Sequence, residues 1–163
     1  LLWYTQCVQK VVREGLATLR TVPSAGARHP FETYLLVNDV TDLDPGTYRY
    51  LPLDHSLAHI GGQKPPEEVI AGCHGQDFCG RCAVTFVWSV IPYRTEWRYG
   101  PVSHKVIALD AGHLCQNLYL ACTAAGLGTC GIGAYDQTAM DHLLGFDGED
   151  EFTVYIAPVG RRR

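Results

Sequence analysis

No stretch of the 163-residue chain is apolar over enough length to span a bilayer, so no transmembrane helix is expected. The opening Leu1-Leu2-Trp3-Tyr4 lacks the basic lead-in and long apolar core of a secretory signal, and a cytoplasmic protein is expected. Charged residues are scarce at 18%, and the net charge is −4. Outside Arg161-Arg162-Arg163 there is no basic stripe, which argues against a nucleic-acid surface. Lean surface charge suits a chain that buries one face in a partner. No internal repeat or low-complexity tract is present. No Gly-x-Gly-x-x-Gly follows a strand in a βαβ unit, so a resident dinucleotide fold is not expected. The seven histidines never stand four apart on one helix face beside a carboxylate. Cys79-Gly80-Arg81-Cys82 has no second Cys-x-x-Cys to complete a zinc site, and the chain is too large for a disulfide scaffold. No metal is expected, and the seven cysteines are expected to be reduced thiols.

What is present is enough for one domain, 1–163, with 47% apolar residues and a real core. Residues 1–12 read as a helix and 32–37 as a strand rich in β-formers. A turn at 42–46 leads into a hairpin over 47–51 and 56–60. After a linker-like stretch, Pro65-Pro66-Glu67-Glu68 opens a short helix with acidic residues at its N-terminus. The almost continuous apolar run 83–91 predicts a central strand buried on both faces. Ser103 is placed to cap the longest helix, 104–125, whose small apolar residues predict burial nearly all round. Gly126 is placed to stop it. A strand over 129–135, a helix over 137–144 and a last strand over 152–159 complete the reading. The elements lack a regular βαβ beat, which points to α+β.

Three segments carry candidate chemistry. Arg20-Thr21-Val22-Pro23-Ser24-Ala25-Gly26-Ala27-Arg28-His29-Pro30-Phe31 sets small residues between prolines just before a strand. Small residues let backbone approach a flat or anionic ligand, and prolines keep the loop rigid; the same pattern also serves as plain turn chemistry. Gln116-Asn117-Leu118-Tyr119-Leu120 lies in the long helix and is followed by Gly126-Leu127-Gly128-Thr129-Cys130-Gly131-Ile132-Gly133-Ala134-Tyr135-Asp136. The chain ends on Tyr155-Ile156-Ala157-Pro158-Val159-Gly160-Arg161-Arg162-Arg163, either a frayed basic tail or a phosphate clamp built from guanidinium forks. Cys73, Cys79 and Cys82 read as incidental thiols rather than a zinc or redox site. Cys7, Cys115, Cys122 and Cys130 read as small apolar core residues, and His113 as a hydrogen-bonded structural histidine.

In this order the three segments resemble the flavin-binding elements of the nitroreductase superfamily. Pro45-Gly46-Thr47-Tyr48-Arg49-Tyr50, and Arg94-Thr95-Glu96-Trp97-Arg98-Tyr99-Gly100 leading to Leu109-Asp110-Ala111-Gly112-His113, resemble its azoline-dehydrogenase (SagB-type) branch most closely. The resemblance implies a mostly antiparallel sheet flanked by helices, a homodimer, and FMN held noncovalently at its interface. It implies backbone N–H groups of Gly133 and Ala134 aimed at the flavin N5, with Ile132 against one ring face. Pro23, Ser24, Ala25 and Gly26 would meet the ribityl chain and ring edge, often from the other subunit. Arg20 and Arg28 are candidates for the phosphate or the O2 region, and Arg161 and Arg163 for the phosphate clamp. Tyr99 would donate a proton to, or hold, a small-molecule substrate, and Arg98 would attract an anionic substrate or offset charge on the flavin. Glu96 is placed to pair with an arginine. NADH or NADPH would be a transient donor in a ping-pong cycle.

Two departures qualify the resemblance. The Arg-rich segment that usually opens these flavoproteins does not precede Leu1, so either the chain is a fragment or other groups hold the phosphate. The branch's proposed Lys-Tyr dyad is Arg98-Tyr99 here, and a guanidinium is a poor proton acceptor near neutral pH. The alternatives are therefore a peptide-azoline dehydrogenase and a degenerate flavin-fold module without catalysis. A small metal-binding redox protein on Cys73, Cys79 and Cys82 is a third.

Overall fold

The computed structural model describes residues 1–161, and Arg163 of the expected clamp lies outside them. In chain order the elements are α1 Leu2–Gln6, β1 Val8–Val12, β2 Ala17–Arg20, β3 Phe31–Val37, β4 Gly46–Leu51 and β5 Ser56–Gly61. They continue with α2 Pro66–Gly72, α3 Asp77–Arg81, β6 Val84–Val90, α4 Tyr93–Tyr99 and α5 Ser103–Ala124. The last three are β7 Leu127–Thr129, α6 Gln137–Leu144 and β8 Phe152–Arg161. The order β5-β4-β3-β6-β8-β7 makes a six-stranded sheet whose neighbours are all antiparallel. This is the α+β arrangement, an antiparallel sheet flanked by helices, that the resemblance implies.

The sheet has helices on both faces because its inner strands are apolar on both. Every residue of β3 and β6 is buried. Leu35, Val37, Phe86 and Trp88 point to one side, where Ala111, Leu114, Leu118 and Cys122 of α5 close the core. Tyr34, Leu36, Val87 and Ile156 point to the other, against Val69, Cys73, Cys79 and Met140. Each fully buried large aliphatic side chain stabilises the fold by about 2 kcal/mol. Asp136 starts α6 by accepting from the Ala139 N–H (3.0 Å), and left-handed Gly145 ends it.

Four expectations are corrected. Residues 1–12 are not one helix: after a single turn the chain extends as β1, which pairs with β2 (Val12↔Ala17) across Glu14 and Gly15, both at positive φ. The β-branched Val11-Val12 pair suits that extended form. The strand over 129–135 is only β7, after which one bridge, Ile132↔Ile156, ties the glycine turn to β8. Ser103 is the first residue of α5 rather than a capping side chain, and Val102 precedes it. Nor is α5 buried all round, since Leu109 and Leu120 are 55% and 60% exposed. No helix of the described residues is long and apolar enough to cross a membrane.

Candidate functional site

The Pro23-to-Arg28 loop is fixed by one carboxylate. Asp110 of α5, buried in an otherwise apolar face, accepts from the Ser24 hydroxyl (2.5 Å) and from the Ala25 N–H (3.1 and 3.2 Å to its two oxygens). The Ser24 hydroxyl in turn accepts from the His29 N–H at 2.9 Å. Hydrogen bonds to an ionised carboxylate are the strong kind, so the latch holds the loop in one conformation. His29 is buried, and burial, reinforced by Arg20, lowers its pKa from 6.5 to about 4, so it is neutral at pH 7. Arg20 is half-buried, donating to Gln6 Oε1 at 2.9 Å and to Thr18 Oγ1 at 3.4 Å. Burial pulls its pKa below the usual arginine value, and Glu32 partly offsets that pull.

Arg98 and Tyr99 are brought to this loop by α4. Glu32 of β3 takes Arg94 in the first turn of α4 (2.7 Å) and Arg49 of β4 (3.0 Å), which ties the helix to the sheet. Its last turn then meets Gly26, which has φ +59° and no side chain to obstruct it. A Cβ there would stand 2.8 Å from Tyr99 Oη and 3.0 Å from Arg98 Nε. Arg28 donates from Nε to the Gly26 carbonyl (2.8 Å), and its guanidinium lies over the Trp97 ring at 5.0 Å. Pro23 is exposed at the loop's edge.

The glycine turn is built from backbone instead. The Ile132 N–H donates to the Ile156 carbonyl at 2.7 Å, and the Gly131 N–H to the Tyr119 hydroxyl at 2.8 Å. Gly131 is needed for close packing, since a Cβ would stand 2.7 Å from Tyr155 Oη and 2.9 Å from Cys115 Sγ. Ile132, expected against a ring face, is 4% exposed and packs in the core, so its part is to anchor the turn. Gly133 and Ala134 are exposed, and their N–H groups have no hydrogen-bond partner among the described residues. Space around a Gly133 Cβ is open. Beside β7 and the end of β8 runs a groove of about 1070 Å³ whose lining includes Thr129, Cys130, Gly160, Arg81 and Arg161 but neither Gly133 nor Ala134. Ligand sites span roughly 300–1,000 Å³, so the groove is ample.

The expected residues therefore fall into two groups. Ser24, Ala25, Gly26, Arg28, Arg98 and Tyr99 converge beside Asp110, while Gly133 and Ala134 follow β7 and Arg161 ends β8. Asp110 and Tyr119, their contacts on α5, are nine residues apart, which is about 13 Å along the axis and two and a half turns. They leave opposite sides of the helix.

Asp110 and Glu32 carry the positioning, and neither was assigned that role in the sequence reading. The one signal for Asp110 is a lone carboxylate in the stripe of Ala111, Leu114 and Leu118. Glu96 pairs with no arginine among the described residues, whose carboxylate–arginine pairs are those of Glu32. Cys130 is exposed on the groove rather than in the core, and the His113 side chain is about half exposed, 3.9 Å from Asp110. Cys73 and Cys79 are buried, and the interaction between the two thiols draws the first's pKa down and pushes the second's up. No group of three His, Cys, Asp or Glu side chains able to hold a metal ion occurs among the described residues.

Comparison with known proteins agrees with this architecture. MJ1384 of Methanocaldococcus jannaschii, assigned as a nitroreductase, is 32% identical over 143 residues, 88% of this chain and 71% of that protein. The trifolitoxin-processing protein TfxB of Rhizobium leguminosarum bv. trifolii is 26% identical over 137 residues, 78% of this chain but 36% of that protein. A crystal structure assigned as a nitroreductase from Anabaena variabilis ATCC 29413 superposes with TM-score 0.90 at 26% identity, covering 97% of this chain. This chain spans only 33% of that one. The sequence profile of the nitroreductase family matches residues 7–161, nearly every residue from which the two clusters are built, and the chain belongs to that family of oxidoreductases.

Proposed function

We propose that the protein is an FMN-dependent oxidoreductase. It takes hydride from NADH, NADPH or a reduced substrate and passes it to a small-molecule acceptor in a ping-pong sequence. One observation carries this reading: Gly133 and Ala134 present adjacent N–H groups without partners among the described residues, beside open space. Fixed backbone donors of this kind suit the N5 edge of a flavin without adding a titrating side chain. The residues fit FMN in one further respect: Arg161 lines a groove of ligand size beside β7 and β8.

Bound there, FMN supplies hydride acceptance and release at N5. The chain's residues do the rest. Gly133 and Ala134 orient the ring edge, and Arg161 holds phosphate oxygens with its fork. Pro23, Ser24, Ala25 and Gly26 shape the opposing wall, stiffened by Asp110. Tyr99 donates a proton to the acceptor or holds it by hydrogen bonding. Because the two groups leave opposite sides of α5, one ring is served by the glycine turn of one chain and the Pro23-to-Arg28 loop of another. A homodimer is the economical arrangement, and the exposed stripe of α5 through Leu109, Gly112, Gln116 and Leu120 carries no charge that would oppose it.

A second reading, dehydrogenation of peptide azolines, draws on the likeness to TfxB; Arg98 in place of a lysine argues against it. The deciding experiment is the visible spectrum of the purified protein, with heat release of any chromophore. About one FMN per chain is expected. A colourless protein that takes up no added FMN overturns the proposal and leaves a flavin-fold module. Tyr99→Phe should keep flavin and slow only the acceptor half-reaction; an unchanged rate removes Tyr99 from the chemistry.

A further inference from the structure

Two guanidinium groups flank Gly26, and among the described residues neither has a carboxylate within ion-pair distance. Arg28 is held by the Gly26 carbonyl and the Trp97 ring, and Arg98 Nε and Tyr99 Oη stand 3.0 and 2.8 Å from where a Gly26 Cβ would lie. The neighbouring carboxylates do not neutralise them. Asp110 is taken by Ser24 and Ala25, Glu32 by Arg49 and Arg94, and Glu96 pairs with neither. Arg20, a third cation, is fixed behind the loop on Gln6. Two guanidinium groups on one glycine with no counter-charge favour an anion beside them, most strongly once a ligand excludes water. Arg28 is already immobilised over its aromatic partner, so little ordering is needed to use it.

We propose that Arg28 and Arg98 form an anion clamp that selects negatively charged acceptors, aromatic carboxylates above all, with Tyr99 on the same side. The inference rests on reading this loop as the substrate wall of a flavin site. The chemistry recognised is a pair of anionic oxygens; a flavin phosphate offers the same pair, and the experiment separates the two.

Para-nitrobenzoate and para-nitrobenzamide share shape and nitro group and differ in charge. With FMN-loaded protein at low salt, kcat/KM for the carboxylate should exceed that for the amide by roughly 10- to 100-fold, the worth of a charge-assisted hydrogen bond. The ratio should fall as salt rises. Arg98→Gln and Arg28→Gln should each bring it toward one, and Arg28→Lys, which keeps charge but loses the fork, should retain part. A ratio near one in the unsubstituted protein, or one that both glutamine variants preserve, overturns the clamp. So does FMN binding tighter than riboflavin with the difference abolished by Arg98→Gln, because the clamp then serves the phosphate. Should the protein take up no flavin, the flavin reading fails by itself and the clamp is still tested by tryptophan fluorescence. Para-nitrobenzoate should then quench saturably, and Arg98→Gln should remove the saturation; a linear, non-saturating response overturns the proposal.

Discussion

Asp110 and Tyr119 of α5 hold their loops by different physics. At Asp110 the Pro23-to-Arg28 loop hangs on directed side-chain bonds to one buried carboxylate. At Tyr119 and Cys115 the glycine turn is held by strand backbone and by contacts that admit no side chain at Gly131. A carboxylate latch concentrates its energy in one residue, whereas a backbone-held turn spreads it over a sheet edge. The first should therefore fail abruptly on a single substitution, and the second only where added atoms collide.

Asp110→Ala tests that contrast most severely. It leaves the half-buried Ser24 hydroxyl and Ala25 N–H without their acceptor and opens a cavity at the buried Asp110, at a cost of about 3 kcal/mol. Urea unfolding should show this loss, and the loop should become the first site of proteolysis. A cost under about 1 kcal/mol would mean the latch does not hold the loop.

Elements whose signal is local were legible in the sequence. The apolar run of β6 announced a strand buried on both faces, and Asp136 and Gly145 bracket α6 within its own sequence. Where a distant partner decides, the reading went astray. Residues 8–12 extend because residues 17–20 pair with them, and Asp110 has its role because a loop 86 residues away folds onto it. Within the candidate site, Gly133 and Ala134 were visible as a glycine-rich turn. Arg98 and Tyr99 were visible as candidates to meet a substrate, but their packing against Gly26 depends on Glu32 steering α4 through Arg94.

Acid should next separate the two loops. His29, behind the loop, has a folded-state pKa of about 4 against 6.5 unfolded. As pH falls the unfolded chain takes its proton first. The stability linked to neutral His29 is thus whole above pH 6.5 and drains between there and about 4, by roughly 3 kcal/mol. At the glycine turn, burial pushes Cys115 up to about 11 and Tyr135 to about 12, so both stay protonated through that window. His29→Asn keeps a residue that tolerates the positive φ and should flatten melting temperature against pH below 6.5. An unchanged slope would assign the acid sensitivity to another group.

Gly131→Ala should then cost about 2 kcal/mol, because the ring of Tyr155 and the thiol of Cys115 must both shift. A smaller loss, below about half a kcal/mol, would show that the turn can yield and weaken the contrast with Asp110.

Gly133→Val should disturb the fold least and is the sharpest discriminator for that reason. Gly131 and Gly133 are two residues apart in the same turn, yet nothing stands within 4 Å of a Cβ at Gly133. Within this chain, therefore, nothing in the packing demands glycine at 133, and stability should change by no more than about 0.5 kcal/mol. If a flat ring edge lies against the free N–H groups there, the added isopropyl group occupies the ring's space. FMN uptake should then be abolished with the melting temperature intact. Normal uptake by the valine variant would move the ring away from this turn; lost uptake with lost stability would make the glycine structural. Only the separation of the two readouts distinguishes a turn shaped by its own packing from one left open for a ligand.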